Sequence, residues 1–287
     1  MPPILVIARL TVQEASRRRL LLALVILTLI VAGFSAWGFH KITTVNGPGG
    51  SPLPPVQVAL ITSQLLIVVT FMYSGVLALS AAVVAGPLIS SEVETGLLLS
   101  MLARPVRRSE VVIGKWLGLA VLVALYAAGS AFLELAAVDW ATGYLPPHPV
   151  QLVLFVGSEG LVLLSLGLLL STRLSGITGG VIALVAWLMA WIGGVVGDIG
   201  LSLQNQAVEN VGVISHLILP SDGLWRGAIY AMEPDAFLAT LRAAGTVARA
   251  NPFAAIDPPP TSYLLWVLVW FGLMLALSVW SFRTREI

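Results

Sequence analysis

Charged side chains are scarce in this chain. Asp, Glu, Lys and Arg make up 10 % of its 287 residues, against about a quarter of a typical globular sequence. The fifty residues between Lys41 and Glu92 contain none of them. A water-soluble domain cannot hide such a stretch. With 58 % hydrophobic residues and a mean hydropathy of +0.96, the chain is predicted to be an integral membrane protein.

Cysteine is absent, which excludes disulfides and thiolate metal sites. His40, His148 and His216 are far apart and lack ligand spacing, so they are interpreted as surface histidines and no metal site is predicted. The phosphate-binding pattern G-x-x-x-x-G-K-[ST] is also missing, because Gly114-Lys115 is followed by Trp116. No H-E-x-x-H, G-x-S-x-G or paired intramembrane Asp is present either. The chain is therefore not expected to be an enzyme by itself.

Six stretches are long and apolar enough to cross a bilayer, since a hydrocarbon core about 30 Å thick requires roughly 20 residues of helix. They are residues 20–38, 56–86, 111–138, 150–172, 176–197 and 263–282. The second exceeds one crossing, which predicts a tilted helix or one that extends beyond the membrane. Only residues 173–175 separate the fourth and fifth, which predicts a tight hairpin between antiparallel helices.

The basic residues predict the orientation, because cytoplasmic segments carry an excess of Lys and Arg. Eleven fall on one side of the six spans: Arg9, Arg17, Arg18, Arg19, Arg104, Arg107, Arg108, Lys115, Arg173, Arg283 and Arg285. Four remain: Lys41, Arg226, Arg242 and Arg249. With five and nine acids respectively, the two groups have net charges of about +6 and −5. Both termini are therefore predicted to be cytoplasmic, in agreement with an even number of spans.

Helices are also predicted outside the spans. Residues 3–16 place Ile4, Ile7, Ala8 and Thr11 on one helical face, as in an interfacial helix that leads into the membrane. The long outer segment 198–262 contains helix starts at Asp222 and at Pro234-Asp235. Their apolar faces are Leu224, Trp225, Ala228 and Ile229 in the first helix, and Phe237, Leu241, Ala244 and Ala248 in the second. These external helices are expected to lie on the outer leaflet or to dip into it.

Polar and small residues within the spans are candidate functional or packing positions. Glu159 lies near mid-bilayer, where an acid costs roughly 2.5–3.5 kcal/mol on insertion scales. It is either a substrate or proton contact, or a Glu that is hydrogen-bonded between helices, with Ser158 or Ser165 as candidate partners. Lys115 and Glu134 lie near span ends, where solvated side chains are expected. Small residues four apart in the fifth span predict close helix packing: Gly176, Gly180, Gly193 and Gly197.

The densest charge lies between the second and third spans. Glu92 and Glu94 precede an apolar stripe of Leu97, Leu98, Met101 and Leu102, so they suit the start of a short amphipathic helix parallel to the membrane. Arg104-Pro105 ends this helix, since Pro cannot continue it. An ordinary positively charged loop is the alternative interpretation.

This segment resembles the signature of type-2 ATP-binding-cassette (ABC) transporter permeases, with the pattern E-x-E-x-G-x-L, then R-P-V-x-R, then G-K. The matching residues are Glu92, Glu94, Gly96, Leu98, Arg104, Pro105, Val106, Arg108, Gly114 and Lys115. The six-span layout, the basic N-terminal helix and a closing Phe282-Arg283-x-Arg285 also match. The resemblance is specific over about residues 90–118 and is closest to the NosY-like branch.

The resemblance implies a single permease domain over residues 1–287 that docks on a separate ABC ATPase through the cytoplasmic helix. The residues expected to dock and couple are Glu92, Glu94, Gly96, Leu97, Leu98, Met101, Arg104, Pro105, Arg107 and Arg108. It further implies an exporter of the cell (plasma or inner) membrane that works by alternating access. No cofactor is expected in this chain, while ATP and Mg²⁺ are expected in the partner. A second permease copy, as a homodimer in a 2+2 complex, and membrane lipids complete the expected partners, with no nucleic acid.

An ion-coupled secondary transporter, or another multispan membrane protein outside the ABC class, is the alternative function. A secondary transporter would require internal repeats with broken spans at matching positions, and no convincing repeat is visible. The substrate does not follow from the sequence, because an apolar path with one buried Glu fits lipids, drugs, peptides and glycans.

Overall fold

The computed structural model describes residues 2–16, 19–45, 50–94 and 107–285. Within these ranges the chain forms α-helices and one 3-10 helix, with no β-strand. Six of the described helices are long and apolar enough to cross a membrane. They are α2 (Arg19–Thr43), α3 (Pro55–Ala85), α5 (Arg108–Thr142), α6 (Pro149–Ser171), α7 (Gly176–Ser202) and α11 (Thr261–Arg283). The predicted all-α polytopic fold is confirmed.

The spanning helices extend past the predicted segments at several ends, because hydropathy locates the hydrocarbon core while local stereochemistry ends a helix. Gly143, with φ 69°, adopts the left-handed conformation after α5 and donates its N–H to the carbonyl of Asp139. At the hairpin between α6 and α7, the hydroxyl of Ser175 accepts from the N–H of Thr178. The predicted tight connection is present there.

The predicted N-terminal helix is α1 (Pro3–Ser16), and it buries Ile7, Thr11 and Ala15. It packs across α5 at two glycines. A Cβ at Gly114 would lie 2.8 Å from the Cβ of Ile7, and a Cβ at Gly118 would lie 2.6 Å from the carbonyl oxygen of Ala8. The glycines therefore let the two backbones approach, as small residues do between membrane helices.

The long second span is interrupted at Gly86, and α4 (Pro87–Glu94) follows directly. Pro87 at the first position of α4 fits the preference of proline for helix starts. A Cβ at Gly176 of α7 would lie 2.9 Å from the Cα of Pro87, so Gly176 permits a close contact at this break. Glu92 and Glu94 lie in the last turn of α4. The amphipathic helix predicted to follow them, with Leu97, Leu98, Met101 and Leu102, lies outside the described residues and stays a prediction.

The outer segment folds back along the spans. Helix α8 (Gln206–Ile218) runs antiparallel to α7: Gly200 faces Val208 and Glu209, Gly197 faces Gly212, and Gly193 faces Ser215. The hydroxyl of Ser215 donates to the carbonyl of Ala190 at 3.1 Å. Ala190 is about midway along the 27-residue α7. The α8 end therefore reaches the middle of the span.

Helix α9 (Ser221–Met232) returns from that depth to the connection between α5 and α6. The hydroxyl of Tyr144 donates to the carbonyl of Met232 at 2.7 Å, and the N–H of His148 donates to the carbonyl of Ala231 at 3.2 Å. Together α8 and α9 form a re-entrant hairpin. The helices predicted to begin at Asp222 and at Pro234-Asp235 are present as α9 and as the helix Asp235–Ala244, while their predicted placement at the outer leaflet stays a prediction.

Helix α10 (Asp235–Ala244) and a 3-10 helix (Gly245–Ala250) follow α9. Helix α10 buries Leu238 and Leu241 against Ala254, while the predicted residue Phe237 is only partly buried. All four predicted apolar residues of α9 are buried. The largest described buried cluster joins α9 to α3, α5 and α6, so the segment between the fifth and sixth spans is part of the core.

Candidate functional site

The described part of the charged motif between the second and third spans is Glu92, the backbone of Glu94, Arg107 and Arg108. The other predicted coupling residues lie outside the described ranges: Gly96, Leu97, Leu98, Met101, Arg104 and Pro105. The predicted coupling role of this segment therefore stays a prediction. What the structure does define is how the segment is anchored at each of its two ends.

Glu92 is anchored to α5 through Lys115. The Nζ of Lys115 lies 2.5 Å from Oε2 of Glu92 and donates to the carbonyl of Leu88 at 2.7 Å. Only 4 % of the Lys115 side chain is exposed. The prediction that Lys115 is a solvated anchor is wrong, because an acid 23 positions earlier in the chain folds back onto it. Removing one partner of such a buried ion pair destabilises the fold, because the remaining charge is then buried without compensation.

Arg108 anchors the other end of the segment to α11. Its Nη1 lies 2.8–3.2 Å from the carbonyl oxygens of Phe282, Arg283 and Arg285, and its guanidinium lies over the Phe282 ring at 5.6 Å. The last carbonyls of a helix lack intrahelical partners and carry partial negative charge. Arg108 satisfies them, and it thereby joins the start of the third span to the end of the sixth.

Two further arginines bind the same end of the bundle. The Nε of Arg173 donates to the hydroxyl of Ser281 at 3.1 Å, and Nη1 of Arg285 donates to the carbonyl of Thr172 at 2.6 Å. Several of the basic residues that predict the orientation thus also connect helix ends. We call this face, with Arg108, Arg173 and Arg285, the basic end.

Glu159 is 2 % exposed and joins three spans. Its Oε2 accepts from the hydroxyl of Ser74 at 2.8 Å, and its Oε1 accepts from the indole N–H of Trp187 at 2.7 Å. The candidate partners Ser158 and Ser165 are not used. Ser165 instead accepts from the indole N–H of Trp116 at 2.9 Å. Both oxygens of the Glu159 carboxylate are therefore occupied by α3 and α7.

An aromatic cluster lies next to this carboxylate. It connects α3 to α7, to α9 and to Phe253, which precedes α11. Phe71 is at its centre, with ring centroids 6.1 Å from Trp187, 5.1 Å from Trp191, 5.3 Å from Trp225 and 5.5 Å from Phe253. Aromatic pairs at these separations stabilise packing beyond their buried area. The carboxylate thus lies beside a polarisable, apolar surface.

Glu134 is also buried, with 3 % exposure, so its predicted placement in solvent is wrong. The hydroxyl of Tyr73 lies 3.3 Å from its Oε2 and 3.2 Å from the carbonyl of Thr28. Thr28 in turn shares a 2.7 Å hydrogen bond with Tyr126. This second polar network connects α2, α3 and α5.

The re-entrant hairpin is fixed by an ion cluster that sequence reasoning missed. The Oδ2 of Asp222 lies 2.7 Å from Nε2 of His216 and 3.0 Å from Nε of Arg226, and Arg226 also pairs with Asp198. His216, predicted to be a surface residue, is therefore half-buried in this cluster. The spacing of Asp222 and Arg226, four apart in a helix, was the available signal.

The predicted packing glycines take different roles. Gly193 and Gly197 lie against α8, and Gly176 lies against Pro87. Gly180 instead lines an open groove between α3, α4 and α7. Gly194, which was not predicted, lies against the carboxylate of Asp222.

Glu233 lies just after α9 and is 1 % exposed. Burial raises its pKa to about 8, because the charged form loses its hydration. Among the described residues no group of His, Asp and Glu has the arrangement of a metal site.

The six spans, the re-entrant hairpin and the anchored motif define a polytopic membrane protein built around interhelical polar contacts. The family model described as ABC-2 family transporter protein matches residues 5–287. The chain therefore belongs to the ABC-2 transporter family and is a membrane permease of an ABC transporter, a class that works with ABC ATPase subunits. No curated protein matches the chain.

Proposed function

We propose that this chain is the permease of an ABC exporter of the NosY-like branch. Two copies assemble with two ATPase subunits in the cell membrane, and ATP and Mg²⁺ bound by the partner drive alternating access. The single observation that carries the proposal is the anchoring of the motif, through Glu92 to Lys115 and through Arg108 to the end of α11. The two ends of the segment 92–108 are thus in direct contact with the third and sixth spans.

A displacement of this segment would be transmitted to both spans through direct contacts. Movement of α4 would act on α5 through the 2.5 Å contact of Glu92 with Lys115. Movement of Arg108 would act on α11 through its carbonyl contacts. Coupling requires that a partner bind two arrangements of the permease with different free energies. Closure of the ATPases on nucleotide would supply that difference.

Docking through the apolar stripe is tested with Leu98→Asp. Burying one such leucine stabilises a contact by roughly 1.5–3 kcal/mol, so the change is expected to lower ATPase binding at least tenfold. Tagged permease is purified from its own membranes in mild detergent, and the co-purifying ABC ATPase is quantified by mass spectrometry. Ser16→Asp, which adds the same charge on exposed α1, is the matched control. Equal ATPase recovery in both variants would contradict docking through Leu98.

The proposed topology has both termini in the cytoplasm and residues 198–262 outside. Because the chain contains no cysteine, single reporters are simple to place at exposed Ser16 and Thr240. An impermeant thiol reagent added to intact cells is expected to label Thr240→Cys and to label Ser16→Cys only after permeabilisation. The reverse pattern would invert the topology, and labelling of both in intact cells would also refute it.

The proposed 2+2 assembly is tested on the purified complex in nanodiscs. Mass photometry is expected to give two 30.3 kDa permeases and two ATPases for each particle. When a tagged permease is co-expressed with an untagged one, affinity purification of the tagged copy should also yield the untagged copy. A particle with a single permease copy would contradict the homodimer, and purified permease alone should hydrolyse no ATP above a buffer control.

A further inference from the structure

A groove opens at the basic end between α5 and α11. It has a volume of about 420 Å³. Its walls include Ser109, Ile113 and Leu117 on α5, and Leu275, Ala276 and Arg283 on α11. Trp280, which also lines it, is 65 % exposed, and tryptophan is enriched where membrane meets water. The groove therefore begins at the membrane surface.

Its lining changes from polar to apolar with depth. Ser109 and Arg283 lie at the start of α5 and the end of α11, whereas Leu117 and Leu275 lie eight residues further into each helix. Eight residues of α-helix rise about 12 Å, which is most of the roughly 15 Å thickness of one hydrocarbon leaflet. The groove thus has a polar end and an apolar interior, which match the polar headgroup and the apolar acyl chains of a single phospholipid.

Arg283 differs from the other described arginines of the basic end. Arg108, Arg173 and Arg285 direct their guanidinium groups to carbonyl or hydroxyl oxygens of neighbouring helices. The side chain of Arg283 is exposed and makes no ion pair with any residue that the structure describes. The groove mouth therefore has a positive charge that no described residue neutralises.

We propose that this groove binds an anionic phospholipid, with its headgroup phosphate at Arg283 and Ser109 and an acyl chain along Ile113, Leu117 and Leu275. Basic pockets between membrane helices are known to select anionic headgroups. A groove of similar volume, about 440 Å³, lies between α3, α4 and α7, but it is lined by Pro87, Ser91 and Gly180 among others and by no charged residue. Size alone therefore does not distinguish the α5–α11 groove; the charge at its mouth does.

The ligand belongs to the leaflet at the basic end, which is cytoplasmic in the proposed topology. Binding requires only that the chain spans a membrane. It does not require the proposed coupling to an ATPase, so either proposal can fail while the other holds.

Native mass spectrometry of the purified permease, titrated with phosphatidylglycerol or with phosphatidylcholine of the same acyl chains, tests this site. Phosphatidylglycerol is expected to bind several-fold more tightly. Arg283→Gln should reduce its affinity about fivefold, since one basic residue near an anionic headgroup contributes about a factor of five. The same change should weaken phosphatidylcholine binding less, because the choline cation of that lipid offsets the charge of its phosphate. Ala276→Phe, at an exposed position in the groove wall, should weaken the binding of both lipids.

Arg9→Gln is the matched control, because Arg9 is an exposed arginine on α1 that does not line the groove. It should change phosphatidylglycerol affinity less than twofold. Equal affinity of the wild-type chain for both lipids would overturn the proposal. So would equal losses in Arg9→Gln and Arg283→Gln, which would indicate general surface attraction, or unchanged binding in Ala276→Phe, which would place the acyl chain elsewhere. Unaltered melting temperatures in the three variants confirm that each result reports binding.

Discussion

The carboxylate of Asp222 lies directly against the backbone of Gly194, where the re-entrant hairpin meets the fifth span. Any side chain at position 194 would overlap the carboxylate. The same carboxylate is the common partner of His216 and Arg226, so the absence of a side chain on α7 allows the ion cluster to form. Gly194 thus belongs to the set of α7 glycines that let the hairpin approach this span, together with Gly193, Gly197 and Gly200.

Gly194→Ala is expected to destabilise the protein by about 1–3 kcal/mol, the usual range for overpacking. Its control is Gly129→Ala on α5, where no atom lies within 4 Å of the added Cβ and where alanine should be neutral or slightly stabilising. Thermal unfolding of both variants in the same detergent is the measurement. A Gly194→Ala melting temperature equal to that of Gly129→Ala would show that the contact with Asp222 does not constrain the fold.

Glu159 is expected to stabilise the contact of α6 with α3 and α7. Glu159→Leu leaves the indole N–H of Trp187 buried without an acceptor, and an unsatisfied buried donor costs about 1–3 kcal/mol. The double variant with Trp187→Phe should recover part of the loss, since both partners are then removed. Melting temperatures of the two single variants and of the double variant give the coupling energy between Glu159 and Trp187. Ser158→Ala is the control at a neighbouring position. Wild-type stability in Glu159→Leu, together with lost substrate stimulation of the complex, would instead identify Glu159 as a substrate contact.

Arg108 is expected to stabilise the basic end through the terminal carbonyls of α11. Hydrogen bonds from a charged donor contribute about 1.5–3 kcal/mol, so Arg108→Gln should lower the unfolding temperature by several degrees. Arg108→Lys, which keeps a charge near the helix end, should lose less. The exposed neighbour Arg107→Gln serves as the control. The contact would have no energetic role if all three variants unfolded together with the wild type.

Glu233 is expected to make the stability of the outer end depend on pH. Its pKa is about 8 in the fold against 4.5 in the unfolded chain, so the folded state binds more protons between these values. The contribution of Glu233 to the free energy of unfolding is therefore largest below pH 4.5 and is lost as pH rises through about 8. We expect Glu233→Gln to reduce the loss of stability between pH 5 and pH 9, by an amount on the order of 3 kcal/mol.

Melting curves of wild type and Glu233→Gln at pH 5, 7 and 9 provide the comparison. Only the difference between the two proteins is assigned to this residue, because other buried acids titrate in both. Parallel pH profiles would mean that Glu233 is ionised in the fold at neutral pH.

Predictions from the sequence were most accurate where a property is local. The six spans, helix α1 and the helices that begin at Ser221 and Asp235 all follow from hydropathy, periodicity and turn residues within about twenty positions. The predictions for Lys115 and Glu134 failed because their partners are distant in the chain. Glu92 is 23 positions from Lys115, and Tyr73 is 61 positions from Glu134, so neither contact is visible in a local window.

Local sequence is enough to predict the membrane class and the all-α fold, because the free energy of inserting a helix is close to a sum over its own residues. The resemblance to ABC permeases likewise rests on a short run of neighbouring residues. The tertiary structure alone decided which polar groups meet: Glu159 with Trp187, Arg108 with the end of α11, and Asp222 with His216. Inside a membrane no water is available to satisfy a buried donor or acceptor. Each polar group must therefore find a partner on whichever helix lies beside it, and only the packed bundle defines that neighbour.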